Sequence, residues 1–90
     1  MFSLWTCIKV LDDKKDILSG ILLLAAESFA ADKHCYQYLV SNDRTDKNLL
    51  YVSEIWSDQA AHDRAVQLEG NRKLIAQASK LLDGQAEFKI

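Results

Sequence analysis

The spacing of the apolar residues alternates along the chain between a period of two and a period of about 3.6, and this order most constrains the fold. Residues 2–10 place an apolar or small side chain at every second position, the pattern of a half-buried strand. Asp12 and Asp13 end this strand. Asp13 and Asp16, three residues apart, resemble a capping box and predict that a helix begins here.

The first helix is predicted to run to about Ala31 with a broad apolar face that covers a sheet. Gly20 lies inside it at a cost of about 1 kcal/mol relative to alanine, which predicts a close neighbour at that point. Two adjacent stripes form the apolar face: Ile17, Ile21, Leu24 and Ser28 in one, and Leu18, Leu22, Ala25 and Phe29 in the other.

The middle of the chain predicts a hairpin. Residues 34–40 alternate as a second strand, with Tyr36 and Tyr38 on one face and Cys35 on the other. Residues 41–48 are polar throughout and predict the connecting loop. Residues 49–56 alternate again and predict the third strand, with Glu54 and Trp56 on the same face.

Two helices and a short strand are predicted to complete the chain. Ser57 is a suitable N-cap for the second helix, which is expected to end near Gly70, and Asn71 can cap the third. Gly84 precedes a last strand over residues 86–90. The order β-α-β-β-α(α)-β is typical of the ferredoxin-like α+β fold. One domain over residues 1–90 is expected, with an antiparallel four-stranded sheet and helices on one face.

Composition and charge exclude several classes. A net charge of −2 argues against a general nucleic-acid-binding protein. The longest apolar run, residues 21–26, is far shorter than the roughly 18 residues of a membrane span. The sequence has no signal-peptide pattern, so we expect a cytoplasmic protein that binds neither membranes nor nucleic acids.

The cysteines and histidines do not have the spacing of a metal site or a disulfide framework. Cys7 and Cys35 form no Cys-x-x-Cys motif, and we expect both to be reduced core residues. His34 and His62 form no His-x-x-x-His pair. No glycine loop or nucleophile motif is present, so no cofactor and no metal are predicted.

Two stretches, one on each strand of the predicted hairpin, resemble the antibiotic biosynthesis monooxygenase family of dimeric α/β-barrel, ferredoxin-like proteins. That family tends to have a Gly-Cys-x-x-Tyr strand, a hairpin, then Glu-x-Trp before an acidic helix start. The matching residues here are Cys35, Tyr38, Glu54, Trp56, Asp58 and Ala61. Three positions depart from the family: His34 replaces glycine, and Ala65 and Gly70 stand where histidines are frequent. The haem-degrading branch is disfavoured because Thr6 and Cys7 replace its asparagine.

The resemblance implies a homodimer in which two sheets pack together, with a ligand cavity between sheet and helices in each subunit. It also implies a cofactor-independent monooxygenase that acts on a small hydrophobic or aromatic molecule such as a hydroquinone or an anthrone. The protein assists deprotonation of the substrate, whose anion reduces oxygen. Such a site needs an apolar pocket and a group that accepts a proton.

Six residues are candidates for this site, and four of them have a structural alternative. Glu54 could be a paired structural carboxylate, Trp56 an anchor at the strand–helix corner, and Tyr38 a core residue. His62 could face water beside Asp63. The candidate catalytic residues are His62, Tyr38 and Glu54, and the candidate pocket residues are Trp56, Tyr36 and His34.

Two other functions fit the same scaffold, because a fold does not determine a reaction. One is an isomerase or another proton-transfer enzyme without a cofactor. The other is a dimer that binds a small hydrophobic ligand without converting it. The absence of the family histidines at Ala65 and Gly70 favours this last alternative more than in a typical member.

Overall fold

Seven elements form a two-layer α+β structure in a computed structural model that describes residues 1–90. The four strands form one antiparallel sheet in the order β2-β3-β1-β4. The predicted ferredoxin-like fold is therefore confirmed. None of the helices is long and apolar enough to span a membrane. The elements are β1 (Phe2–Lys9), α1 (Lys15–Ala30), β2 (Cys35–Asn42), β3 (Leu49–Trp56), α2 (Gln59–Gln67), α3 (Glu69–Ser79) and β4 (Glu87–Lys89).

The strand register aligns side chains in rows across the helix-facing side of the sheet. Glu54 on β3 lies opposite Tyr38 on β2 and opposite Leu4 on β1. Facing residues in an antiparallel sheet have Cβ atoms about 5 Å apart, so these side chains are direct neighbours. The next row contains Thr6, which lies opposite Val52 on β3.

An irregularity in β2 changes which residues face the helices. The register shifts between Cys35 and Gln37, so that Tyr36 is an extra residue without a partner on β3. The predicted alternation, with Cys35 opposite in orientation to Tyr38, is wrong at this point. Cys35 and Tyr38 pack against the same buried hydrophobic cluster, which includes Phe29 and Trp56. Tyr36, in contrast, is 58% exposed. The sequence gives no sign of this bulge, because Tyr36 and Tyr38 stand two positions apart as they would in a regular strand.

Only one of the two predicted stripes of α1 belongs to the core. Its residues are buried against the sheet, whereas Ile17 and Leu24 of the other stripe are more than half exposed. No atom lies within 4 Å of a Cβ placed on Gly20, so the close packing predicted there is wrong. The buried stripe consists of Leu18, Leu22, Ala25 and Phe29.

Two helix starts differ from the prediction. Residue Lys14 occupies the N-cap of α1 without a side-chain hydrogen bond, and Asp13 has a positive φ of 64°, so no capping box forms. At α2 the N-cap is Asp58, whose Oδ1 accepts from the Ala61 amide at 2.8 Å. Ser57 lies one residue outside that helix, with its hydroxyl 3.2 Å from Nδ1 of His34. Serine and aspartate are both favourable N-cap residues, and in the folded chain Asp58 rather than Ser57 occupies the N-cap position.

A single residue, Leu68, joins α2 to α3, and Gly70 therefore lies inside α3 rather than at a helix end. The cap predicted at Asn71 is also wrong. Asn71 is buried, its Nδ2 donates to the Ala65 carbonyl at 2.8 Å, and its Oδ1 accepts from the Ser28 hydroxyl at 2.7 Å. The side chain thus connects all three helices. Its amide can both donate and accept, which explains why it is used there.

The opposite face of the sheet carries no helix and is partly exposed. Trp5 stacks on Tyr51 with ring centroids 5.5 Å apart, and Nζ of Lys89 lies 5.5 Å above the Trp5 ring. Cys7 is half-buried on this face, and Leu39 is 54% exposed. We call this surface, defined by these residues with Ile55, the outer sheet face.

Candidate active site

A cavity of about 350 Å³ lies between the sheet and the helices. Sixteen of its twenty lining residues are hydrophobic, and no lysine or arginine is among them. Its polar groups are few: Thr6, Glu54, His62 and Ser79, together with the phenol of Tyr38. An apolar cavity with a few convergent polar groups is the usual form of a small-molecule site.

Glu54 is the carboxyl group of the cavity, and β3 places it on the buried face of the sheet. It is 7% exposed, and its Oε1 accepts a hydrogen bond of 3.1 Å from the indole Nε1 of Trp56. Burial raises the pKa of Glu54, because desolvation disfavours the charged form; the Trp56 hydrogen bond and the His62 charge oppose this rise. A carboxylate whose pKa is raised is a stronger base than an exposed one, which suits it to accept a proton from a substrate.

His62 lies on α2 four residues, or about one helical turn, after the N-cap Asp58, and this position places it beside Glu54. Its Nε2 is 3.8 Å from Oε1 of Glu54, and its Nδ1 is 3.0 Å from Oδ1 of Asp63. The side chain is only 17% exposed and packs against two aromatic rings, with centroids 5.4 Å from Phe2 and 5.7 Å from Trp56. The ring therefore faces the protein interior rather than water.

Tyr38 and Thr6 present hydroxyl groups to the cavity. Neither hydroxyl has a hydrogen-bond partner in the protein, although every fully buried side-chain nitrogen or oxygen atom has one. Both oxygens are therefore reachable from the cavity. Burial, followed by the charge of Glu54, raises the pKa of Tyr38 far above its usual range, so the phenol remains a hydrogen-bond donor.

The three candidate pocket residues lie outside the cavity lining. Trp56 is fully buried and packs edge-on against Phe29, with centroids 5.5 Å apart. Tyr36 projects from the bulge, and His34 lies next to Ser57 before β2. The structure thus brings Tyr38, Glu54 and His62 together at one cavity and leaves Tyr36 and His34 away from it. Trp56 contacts the site through its hydrogen bond to Glu54.

Sequence reasoning did not select Thr6 or Phe88, both of which line the cavity. Thr6 had a recognisable signal, since it is the polar residue in the otherwise apolar stripe of Phe2, Leu4 and Ile8. Phe88 had only the alternation of residues 86–90, which predicts a strand but not that the strand borders a cavity. No group of three histidine, cysteine, aspartate or glutamate side chains is positioned to hold a metal ion.

The sequence matches the model of the antibiotic biosynthesis monooxygenase family over residues 1–77. The chain belongs to the antibiotic biosynthesis monooxygenase family. The resemblance carried by the Cys35–Tyr38 and Glu54–Ala61 stretches is thereby confirmed. No curated protein sequence matches this family member.

Several solved structures have the same fold as this protein. An antibiotic biosynthesis monooxygenase superposes with a TM-score of 0.91 at 18% identity, covering 99% of this chain and 94% of its own. A conserved protein from Methanosarcina mazei Go1 gives 0.90 at 17% identity, covering 97% and 86%. A protein from Pseudomonas aeruginosa gives 0.86 at 25% identity, covering 97% and 87%.

Proposed function

We propose that this family member is a cofactor-independent monooxygenase that oxidises a small, electron-rich aromatic molecule of the quinol or anthrone type. The observation that carries the proposal is the pairing of Glu54 with His62, 3.8 Å apart, at an otherwise apolar cavity. A group that accepts a proton inside a desolvated pocket is what this chemistry requires of the protein. Family membership supports the same reaction class.

The reaction balances without a cofactor. Taking an anthrone as the example, the protein removes one proton from the activated CH₂ group, and the resulting anion transfers electrons to O₂. A C–O bond forms at that carbon, the O–O bond then breaks, and the CH₂ becomes C=O. One oxygen atom stays in the product and the other leaves as water with the two substrate hydrogens. The substrate supplies all four electrons.

Three side chains have distinct tasks in this proposal. Glu54 and His62 together accept the substrate proton, since a raised pKa makes the Glu54 carboxylate a stronger base and the imidazole of His62 lies beside it. The Tyr38 phenol donates a hydrogen bond to the oxygen on which negative charge develops. Such donors, fixed in advance and shielded from water, typically accelerate a reaction by about 10²–10³-fold.

The lining also supports a restricted class of substrate. No lysine or arginine faces the cavity, so a carboxylate or phosphate group would be buried there without a cationic partner. An uncharged aromatic molecule with one polar end fits better. Its hydroxyl or carbonyl oxygen would lie near Tyr38 and Glu54, and its ring system would lie toward Leu18, Leu22 and Phe88.

A homodimer through the outer sheet face is part of the proposal. That face exposes Leu39 and carries the Trp5–Tyr51 stack without a covering layer. Apolar surface of this kind is commonly buried against another subunit. Sedimentation velocity of the wild type should therefore give a dimer, and Leu39→Glu should shift it toward monomer. A wild-type monomer at micromolar concentration would reject this part of the proposal.

A proton-transfer enzyme that needs no oxygen is the second candidate. The Glu54–His62 pair could move a proton between two carbon atoms of a bound substrate with the same geometry. Such an enzyme would rely on His62, since Ala65 and Gly70 stand where the family often has histidine. Dependence on oxygen separates the two candidates.

Oxygen uptake tests the proposal directly. The purified protein, without added flavin or metal, is incubated with a panel of anthrones and hydroquinones in an oxygen-electrode cell. We expect uptake above the rate of autoxidation, with a strong decrease in Glu54→Gln. The exposed carboxylate Glu27 provides the matched control Glu27→Gln, which should behave as the wild type. Conversion of a panel compound at equal rates with and without oxygen would instead favour the proton-transfer enzyme.

A further inference from the structure

We propose that Asp63 is a positioning residue that holds His62 in the tautomer with its proton on Nδ1, so that Nε2 faces Glu54 as the proton-accepting atom. The geometry of the His62 ring, which lies between two carboxyl groups of different exposure, carries this inference. Its catalytic consequence rests on the function proposed above. The tautomer itself can be measured independently of any substrate.

The two ring nitrogens have different neighbours. Nδ1 of His62 lies 3.0 Å from Oδ1 of Asp63, which is hydrogen-bond distance, whereas Nε2 lies 3.8 Å from Oε1 of Glu54. An ionised carboxylate can only accept, so the Nδ1 atom must be the donor in the shorter contact. In the neutral ring the proton is then on Nδ1, which leaves the lone pair of Nε2 directed toward Glu54.

Packing fixes the orientation of the ring and leaves the tautomer to Asp63. Phe2 and Trp56 both pack against the imidazole, with centroid distances of 5.4 and 5.7 Å. No other side chain approaches Nδ1 within hydrogen-bond distance. The hydrogen bond from Nδ1 to Asp63 is therefore the interaction that decides which nitrogen of His62 is free.

The exposure of the three side chains decreases from the surface inward. Counting side-chain atoms alone, Asp63 is 61% exposed, His62 is 17% exposed and Glu54 is 9% exposed. A proton that Glu54 takes from a substrate in the cavity can be passed to Nε2 of His62. The imidazolium that forms is stabilised by the carboxylate of Asp63, as in other acid–base arrangements in which a carboxylate orients a histidine. Its partly exposed ring can then release a proton to water.

Ring-nitrogen NMR tests the assignment in the protein without ligand. Long-range ¹H–¹⁵N correlation spectra of the labelled protein distinguish protonated from unprotonated imidazole nitrogens. The chain has only two histidines, and a His34→Gln variant assigns their signals. For neutral His62 we expect a protonated Nδ1 in the wild type and a shift of population toward protonated Nε2 in Asp63→Ala. Asp16→Ala removes another exposed helical carboxylate and is the matched control.

Identical tautomer populations in the wild type and in Asp63→Ala would overturn the inference. With a substrate from the oxygen-uptake panel, we expect Asp63→Ala to lower kcat by about tenfold at little change in KM, as for other residues that orient a reactive group. An altered tautomer with unchanged kcat would overturn the positioning role. Failure of the wild type to consume oxygen would count against the proposed function, while the spectra would still decide the tautomer.

Discussion

The indole Nε1 of Trp56 donates a 3.1 Å hydrogen bond to Oε1 of Glu54, two residues earlier on the same strand and the same face. Trp56 is fully buried and Glu54 is 7% exposed, so water has little access to either group. A tryptophan at the end of β3 therefore acts on the cavity without lining it. It provides the buried carboxyl group with a polar partner that the surrounding aliphatic side chains cannot supply.

Replacement of this donor should destabilise the protein. Trp56→Phe keeps an aromatic ring but removes the N–H group, and leaving a buried polar group unpaired costs about 1–3 kcal/mol. We expect that decrease in the free energy of unfolding, measured by urea denaturation. Trp5→Phe on the outer sheet face is the control, because Trp5 donates no side-chain hydrogen bond and should change stability less. Equal effects at the two positions would contradict the role assigned to the Trp56 N–H.

Glu54 should make the protein less stable as the pH rises. Its pKa in the folded protein is raised above the ordinary value of 4.5, mainly by burial. The folded state then binds the proton more tightly than the unfolded chain does. The stabilisation is fully present below the unfolded pKa and is lost as the pH rises through the folded pKa.

The variant Glu54→Gln isolates this effect, because its amide oxygen can still accept from Trp56 and does not ionise. As the pH rises from the ordinary pKa of 4.5 through the higher pKa of the folded protein, the wild type should lose stability relative to Glu54→Gln in urea denaturation. Glu27→Gln removes an exposed carboxylate and should run parallel to the wild type. A stability difference between Glu54→Gln and wild type that does not change with pH would show that burial leaves the Glu54 pKa unchanged.

Loss of the Tyr38 hydroxyl should affect turnover more than stability. The phenol has no partner in the protein, so Tyr38→Phe leaves no group unpaired and should fold as the wild type. If it donates to the developing oxyanion, kcat should fall by about 10²-fold. Tyr36→Phe removes an equivalent hydroxyl outside the cavity and should keep full activity. Comparable kcat values in the two variants would exclude Tyr38 as the donor.

Asn71 should contribute to stability through its two buried hydrogen bonds. Asn71→Ala leaves the Ala65 carbonyl without its side-chain donor and the Ser28 hydroxyl without its acceptor. We expect a loss of about 1–3 kcal/mol in the free energy of unfolding. Asn48→Ala removes an exposed hydrogen bond to Asp12 and should cost less. The reverse ranking in thermal or urea unfolding would contradict the bridging role of Asn71.

Phe88 should influence how a ligand reaches the cavity. It lines the cavity although it is 64% exposed, and β4 is held by β1 alone. Phe88→Ala should raise the association and dissociation rate constants of a neutral fluorescent probe such as N-phenyl-1-naphthylamine several-fold. Ile90→Ala, which removes an exposed side chain outside the lining, should leave both unchanged. Stopped-flow fluorescence distinguishes these outcomes, and identical rates in the two variants would rule out a role at the entrance.

The strands and the order of the elements could be predicted, because long periodic segments carry a strong signal. Glu54 also had a signal, as a carboxylate on the buried face shared by Leu50, Val52 and Trp56. Its contact with His62 could not be derived, since it depends on where α2 begins. Ser57 and Asp58 are equally good caps in sequence, and only the folded geometry selects Asp58 and so fixes the position of the histidine.

The extra residue at Tyr36 lets β2 carry one residue more than its partner strand uses. Cys35 and Tyr38 are three positions apart, and they share a face because Tyr36 lies outside the pairing. Deleting Tyr36 would leave them two positions apart, so regular alternation would keep both the thiol and the phenol on the helix side. Deleting a paired residue such as Leu39 would instead turn the side chains on one side of the deletion to the opposite face. Among relatives, one-residue deletions should therefore occur at position 36 and in the loop over residues 43–48, and be absent from the paired part of β2.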